Sequence, residues 1–214
     1  IANGDWSSDV CSSDLATPIP RTLAMSYLAD FDVSVIDELP PGRQPVSTRI
    51  MPISRKPELI QGIGREVSRG HQAYWVCPLI EENEELELTA AKETFEEIKS
   101  ALPGVTVGLV HGELPQQEKD AVMQAFKAGE ISLLVATTVI EVGVDVPNAS
   151  TMVIEHAERF GLAQLHQLRG RIGRGSLKSW CILLYGEPLS ENGRARLQVI
   201  RNTTDGFEIA RKDL

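Results

Sequence analysis

The stretch ISLLVATTVIEVGVDVPNASTMVIE, Ile131–Glu155, decides the fold. It opens on one apolar run, Ile131–Ala136, and closes on another, Thr151–Glu155. Each is short and apolar, which suits a strand buried on both faces. Working outward, Pro115–Ala128 before it reads as a helix, with Pro115 suited to the first turn and Gly129 to the end. After it come a helix around Leu162–Arg171 and a last strand, Trp180–Tyr185. Further back, Val46–Ile53 has the β-branched bias of a strand, and Lys56–Arg69 reads as a helix weakened by Gly62 and Gly64. Gln72–Leu79 is an apolar run suited to a strand, and Val105–Val110 is another. Between them Leu86–Leu102 has apolar residues at helical spacing and stops before Pro103-Gly104. Ser190–Asn202 and Phe207–Leu214 close the chain as two helices about an Asp205-Gly206 turn. Strands alternating with helices imply an α/β fold, a parallel sheet with helices on both faces. Ligands of such sheets gather at the carboxyl ends of the strands. The loops after Leu79, Val110, Ala136 and Glu155 are therefore the places to look for chemistry.

Composition narrows the class. The 214 residues are 42% hydrophobic, enough for one ordinary core and too many for a disordered chain. No apolar run approaches the roughly 20 residues that span a bilayer, so a soluble protein without membrane contact is expected. The three cysteines form neither a disulfide framework nor a metal pair. Cys77 and Cys181 sit in apolar runs and read as core residues, which points to a reducing cytoplasm. His156, Trp75 and Trp180 read as packing residues. The net charge of −9 disfavours a polyanion partner, but its distribution is uneven. Glu81–Glu97 carries eight Glu and one Lys, most simply a solvated face, whereas Gln164–Trp180 carries Arg169, Arg171, Arg174 and Lys178 and no acid.

Residues 1–15, IANGDWSSDVCSSDL, are rich in Ser and Asp and have no useful period. DWSSDVCSSDL resembles the translated product of a sequencing-library adapter, and the segment is set aside as a foreign or disordered leader. Glu38–Pro45, ELPPGRQP, reads as a stiff linker. The expected division is leader 1–15, the end of a preceding domain and a linker over 16–45, an α/β domain over 46–186, and the start of a helical hairpin over 187–214.

The sequence holds no G-x-x-x-x-G-K-[ST] phosphate loop and no strand ending in paired acids for Mg²⁺. A nucleotide-handling sheet without its cradle suggests the far wall of a site shared with a neighbour. Gln164–Gly175, QLHQLRGRIGRG, fits that role. Helical spacing would put Arg171 and Arg174 on one face, where they repel unless an anion lies between them. Arginine suits a phosphoryl group because its fork donates two parallel hydrogen bonds. The alternative is a solvated basic face, disfavoured by Gly170 and Gly173, which suggest a close approach. Thr137-Thr138 ends the strand Leu133–Ala136 with two hydroxyls that can hold a DNA phosphate or simply cap the strand. Asp145, after Gly143, can accept from a ribose hydroxyl or be an ordinary turn acid.

The pattern Gln167-x-x-Gly170-Arg171-x-x-Arg174 resembles motif VI of superfamily-2 helicases, and HQLRGRIGRG resembles the form found in RecG-like motors and in the transcription-repair coupling factor. Three more segments agree in order: ATPIPRTL (Ala16–Leu23) resembles motif III, QAYWVCPLIEE (Gln72–Glu82) motif IV, and LLVATTVIEVGVDVPNAS (Leu133–Ser150) motif V. SVIDELPPGR (Ser34–Arg43) favours the RecG-like group over the coupling factor. The resemblance runs from Ala16 to Leu214. It implies a RecA-like second motor domain of an ATP-dependent DNA helicase or translocase that remodels stalled forks and branched four-way (Holliday) junctions in recombination and repair. It also implies a bacterial, nucleoid-associated setting and a monomer. Arg171 and Arg174 would be the catalytic fingers, and Gln167, Gly143 and Asp145 would bind ATP. Thr137, Thr138, His111 and Gly112 would meet the DNA backbone, and Thr17 and Arg21 would couple the domains. ATP with Mg²⁺ would be held mainly by the other motor domain, and no metal ligands are expected here. The arginine pair is expected at the carboxyl rim of the sheet, and the chain alone is expected to be inactive. The alternative reading is a non-catalytic nucleic-acid-binding module.

Overall fold

The computed structural model describes residues 45–78, 84–137, 146–175 and 177–212. Six strands form one sheet in the order β1-β6-β5-β2-β4-β3. They are β1 (Ser47–Pro52), β2 (Gln72–Val76), β3 (Val107–Val110), β4 (Leu133–Ala136), β5 (Ala149–Ile154) and β6 (Trp180–Tyr185). Every pairing is parallel, so all six carboxyl ends lie on one edge. The helices are α1 (Lys56–Val67), α2 (Glu84–Ala101), α3 (Gln116–Lys127), α4 (Leu162–Arg169), α5 (Glu191–Asn202) and α6 (Gly206–Lys212). The expected α/β architecture is therefore the observed one.

Alternation along the strands builds two cores. Tyr74 and Val76 of β2 face a cluster with Phe126 of α3, Leu165 of α4 and Leu197 and Ile200 of α5. Ala73 and Trp75 face the other way, onto Ile60 and Ile63 of α1 and Ile98 of α2. All five residues of β2 are buried, which is why the stretch QAYWV shows no polar period. Gln72 is the polar exception, and its Nε2 donates to Phe126 O (2.5 Å) and Ile131 O (2.8 Å), closing the turn after α3. Gly64 lets α1 pack close to Leu102, whose Cδ2 would lie 2.6 Å from an added Cβ. The glycine that weakened the helix in the sequence is thus a packing residue.

Element ends shift by at most three residues from the sequence reading, with one consequential case. The helix expected to reach Arg171 ends at Arg169, with Gly170 as its C-cap. Gly173 then takes a left-handed φ of 74°, which a β-carbon would strain and which keeps the helix from resuming.

Candidate functional site

The carboxyl edge holds part of what was expected there. Thr137 follows β4, is buried, and donates its backbone N–H to Val110 O (3.1 Å), so the ends of β3 and β4 are laced together. His111 and Gly112 follow β3 in the adjacent loop, with Gly112 exposed. The His111 Nδ1 atom is buried and has no hydrogen-bond partner among the described residues. Its pKa is lowered, first by desolvation and then by Lys92, with Lys119 adding to the effect. The ring is therefore neutral near pH 7. Lys119 of α3 reaches back to donate to Gly112 O (2.7 Å). Thr137, His111 and Lys119 thus come together at one corner. Lys119 was missed by the sequence reading because its place in α3 gives no hint that it caps a loop seven residues earlier. Thr138, Gly143, Asp145, Thr17 and Arg21 lie outside the described residues.

A second group at the same edge also went unnoticed. Lys56 Nζ lies 2.6 Å from Glu155 Oε1, 2.8 Å from Glu97 Oε2 and 3.1 Å from Thr94 Oγ1. Burial opposes the Lys56 charge, yet Glu155 and Glu97 outweigh it and raise the pKa. Beside it the buried Cys77 thiol is pushed up by desolvation and by Glu155, which leaves it an unreactive core residue.

The arginine pair is not at that edge, and this corrects the expected geometry. α4 starts from the β5 carboxyl end and runs back. Its last residue, Arg169, bonds to Ile200 O and Thr203 O at the far end of α5. Gly175 is pressed onto Pro147, which precedes β5: a Cβ on Gly175 would lie 2.7 Å from Pro147 O. Arg171 and Arg174 therefore sit toward the amino ends of β5 and β6. The edge rule describes ligands held by a sheet's own loops. A residue lent to another lobe's pocket needs only to face that lobe.

Nor is a shared helical face what brings the two arginines together. Arg171 N donates to Leu168 O (3.0 Å), Ile172 is buried, and the Arg174 side chain folds back so that Nε donates to Gly170 O (3.4 Å). A buried isoleucine between two half-buried arginines holds the segment down. Gln167 stands exposed one turn before Arg171. Gly170 is right-handed and needs no special conformation; the close approach expected of the glycines belongs to Gly175.

Arg169 does not belong with the other two. It is 3% exposed, and Nη2 donates to His166 Nδ1 (2.8 Å). His166 is 3% exposed too, and desolvation followed by Arg169 lowers its pKa to about 4, so it accepts as a neutral ring. Helical spacing carried the signal: Leu162, Leu165 and Arg169 fall on one stripe of α4. Of the residues read as packing, Trp75 is fully buried, and Trp180 is half-buried with the Arg49 guanidinium 4.3 Å from its ring centre and Lys178 on it at 4.8 Å. His156 is half-buried and left-handed (φ 47°), its Nδ1 2.9 Å from Glu158 Oε1. No helix among the described residues is long and apolar enough to cross a membrane.

Comparison with known proteins gives these features a context. Residues 55–176 match the helicase conserved C-terminal domain. The chain is 64% identical over 199 residues to the ATP-dependent DNA helicase RecG of Acidithiobacillus ferridurans, and 62% identical over 200 residues to that of Escherichia coli K12. Each match covers 93% of this chain and 29% of the relative, so the chain spans less than a third of their length. A solved structure of RecG bound to a three-way DNA junction superposes with a TM-score of 0.77 at 48% identity, covering 92% of this chain and 26% of that one. With the family model spanning more than half the chain and the RecA-like parallel sheet in place, the chain belongs to the helicase conserved C-terminal domain family, and RecG is the helicase it resembles.

Proposed function

We propose that this chain is the second motor lobe of an ATP-dependent translocase on double-stranded DNA, acting as a monomer at stalled forks and four-way junctions in the cytoplasm. Residues 46–186 form the lobe, 16–45 lead into it from a first lobe, and 187–214 begin the element that turns lobe motion into DNA movement. The observation that carries this reading is the arginine segment. Two half-buried arginines stand on a stretch fixed by the buried Ile172 and by Gly175 against Pro147. Pro147, against which Gly175 packs, follows Asp145 by two positions in the sequence.

These residues fit part of a triphosphate site: arginine forks suit phosphate oxygens, and Gln167 adds an exposed amide. ATP, when bound, supplies the phosphoryl transfer that drives the cycle. Arg171 and Arg174 orient and neutralise it from this side, while Gly143 and Asp145 contact the nucleotide. Mg²⁺ is assigned to the other lobe together with the phosphate loop that this sequence does not carry. The names of the relatives and the junction bound in the solved structure support DNA as the track. Thr137, Thr138, His111, Gly112 and Lys119 hold its backbone, which leaves little sequence preference. Thr17 and Arg21 carry the nucleotide state between the lobes.

The direct test uses the chain by itself: a clean preparation hydrolyses no ATP above the blank, with or without DNA, because most of the phosphate cradle belongs to another lobe. Measurable hydrolysis would contradict the shared-site reading. For the track, Lys119→Ala in the complete motor weakens DNA binding alike for all sequences. It also reduces the slope of log K against log salt by about 0.9, the value for one lost phosphate contact. An unchanged slope removes Lys119 from the interface.

A further inference from the structure

Trp180 stands at the amino end of β6, where neither the ATP site nor the DNA corner uses it. It packs against the core beneath α1 and α2 yet is only half-buried. Two cations converge on its ring, the Arg49 guanidinium 4.3 Å from the centre and Lys178 Nζ at 4.8 Å. Both are exposed, and among the described residues neither has an acidic partner. Lys56 makes the contrast: it also lies over a tryptophan, Trp75 at 5.6 Å, but Glu155 and Glu97 hold it there. An exposed aromatic face attracts a cation only weakly, and two like charges on one ring repel each other. The arrangement is therefore complementary to an anion that brings an apolar face of its own.

Strand pairing fixes the backbone on which these groups stand. β1 is an edge strand parallel to β6, with Ser47 opposite Trp180 and Arg49 opposite Ile182. Arg49 therefore leans back toward the amino end to reach the ring. Ser47 N donates to Ser179 O (2.9 Å), and the Oγ of the buried Ser179 donates to Leu177 O (3.2 Å), which pins the stretch Leu177–Trp180. No acid occurs between Arg174 and Trp180 to cancel the charge. The corner of His111, Gly112 and Lys119 lies at the opposite, carboxyl edge.

We propose that Trp180, Arg49 and Lys178 form a binding site for an unpaired DNA strand, with a base stacked on the indole and the flanking phosphates taken by the two cations. Every base has a π face, so such a platform accepts any sequence, and a duplex keeps those faces turned inward. Both cations stand on long flexible stems and swing from the ring to phosphate as a base arrives. An acidic peptide fits the cations but offers the indole nothing to stack. The proposal rests on the motor reading above for the source of the strand: a translocase that opens branched DNA releases unpaired strand beside itself. It adds a second DNA contact, on the edge of the sheet away from the corner that holds the duplex.

The test uses this chain and its tryptophan emission. Trp75 is fully buried, so a base stacking on Trp180 is expected to quench emission that Trp75 does not report. A single-stranded thymidine oligonucleotide is expected to quench, and a blunt duplex of the same length is expected to leave the emission unchanged. Trp180→Leu is expected to abolish the quench and weaken oligonucleotide binding about tenfold, the scale of one lost stacked base. Arg49→Gln and Lys178→Gln are each expected to lower the slope of log K against log salt by about 0.7, the single-strand value for one phosphate. Absence of quenching overturns the inference, as does quenching that survives Trp180→Leu. Equal quenching by the duplex overturns it too, and equal quenching by poly-glutamate would make this a peptide site instead. If melting curves show that Trp180→Leu does not fold, the two salt slopes decide. The motor reading fails separately, on a complete motor whose ATP hydrolysis does not respond to DNA.

Discussion

Replacing Arg174 by alanine in the complete two-lobed motor lowers DNA-stimulated ATP hydrolysis by about 10³-fold or more, the range for an arginine that enters a phosphoryl-transfer site from a separate element. The expectation follows from placement. Arg174 is half-buried, and its Nε donates to Gly170 O (3.4 Å), which anchors the side chain to the end of α4. Loss of the side chain leaves Ile172 buried and the left-handed Gly173 intact, so the fold survives and the deficit falls on turnover. Arg174→Lys restores little, since an ammonium cannot present two parallel donors. Melting curves matching the parent, together with collapsed turnover, are the expected pair of observations. Turnover within a few-fold of the parent removes Arg174 from the reaction.

The second large effect is structural. Gly175→Ala in this chain lowers stability by about 2 kcal/mol, in the range for overpacking, and so lowers the melting temperature by about 4–8 °C for a protein of this size. The added methyl group would lie 2.7 Å from Pro147 O, a backbone atom that cannot rotate away as a side-chain tip can. Either the arginine segment or the stretch leading into β5 must shift, so the same substitution in the complete motor also lowers ATP turnover. Gly104→Ala is the control, because an added Cβ there meets nothing within 4 Å. Its melting temperature should match the parent. Equal melting of Gly175→Ala and the parent would show that the two segments do not press on each other.

Much of the fold was legible because a parallel sheet covered on both faces leaves a coarse trace. Strands such as Gln72–Val76 and Leu133–Ala136 appear as apolar runs, and helices such as α3 start at a proline and end before a glycine. Trp180–Tyr185 matches the observed β6 residue for residue, since Ser179 before it and Gly186 after it break the run. The end of α4 was less visible. Continuing the helix to Arg171 respects its period, but Gly170 and Gly173 interrupt it, and only the backbone shows that Gly173 is left-handed.

The candidate site was legible as residues and not as geometry. Charge and glycine spacing single out Arg171 and Arg174, yet the edge of the sheet on which they lie depends on the direction of α4, which runs back from β5. The separation of Arg169 from that pair was present in the stripe through Leu162 and Leu165, where the conspicuous run of arginines masked it. Long-range pairings stayed out of reach: Lys56 with Glu155, and Lys119 with the His111-Gly112 loop, join residues whose meeting depends on how helices pack on the sheet.

The central claim is that the Arg171 and Arg174 guanidiniums serve a triphosphate carried by another lobe, and the most direct measurement is a structure of the complete motor with a non-hydrolysable ATP analogue and a branched DNA. The account predicts guanidinium nitrogens of both residues within about 3 Å of phosphate oxygens, the reach of a charge-assisted hydrogen bond. Both side chains turned from the nucleotide, with the phosphates met only by the other lobe, would contradict it.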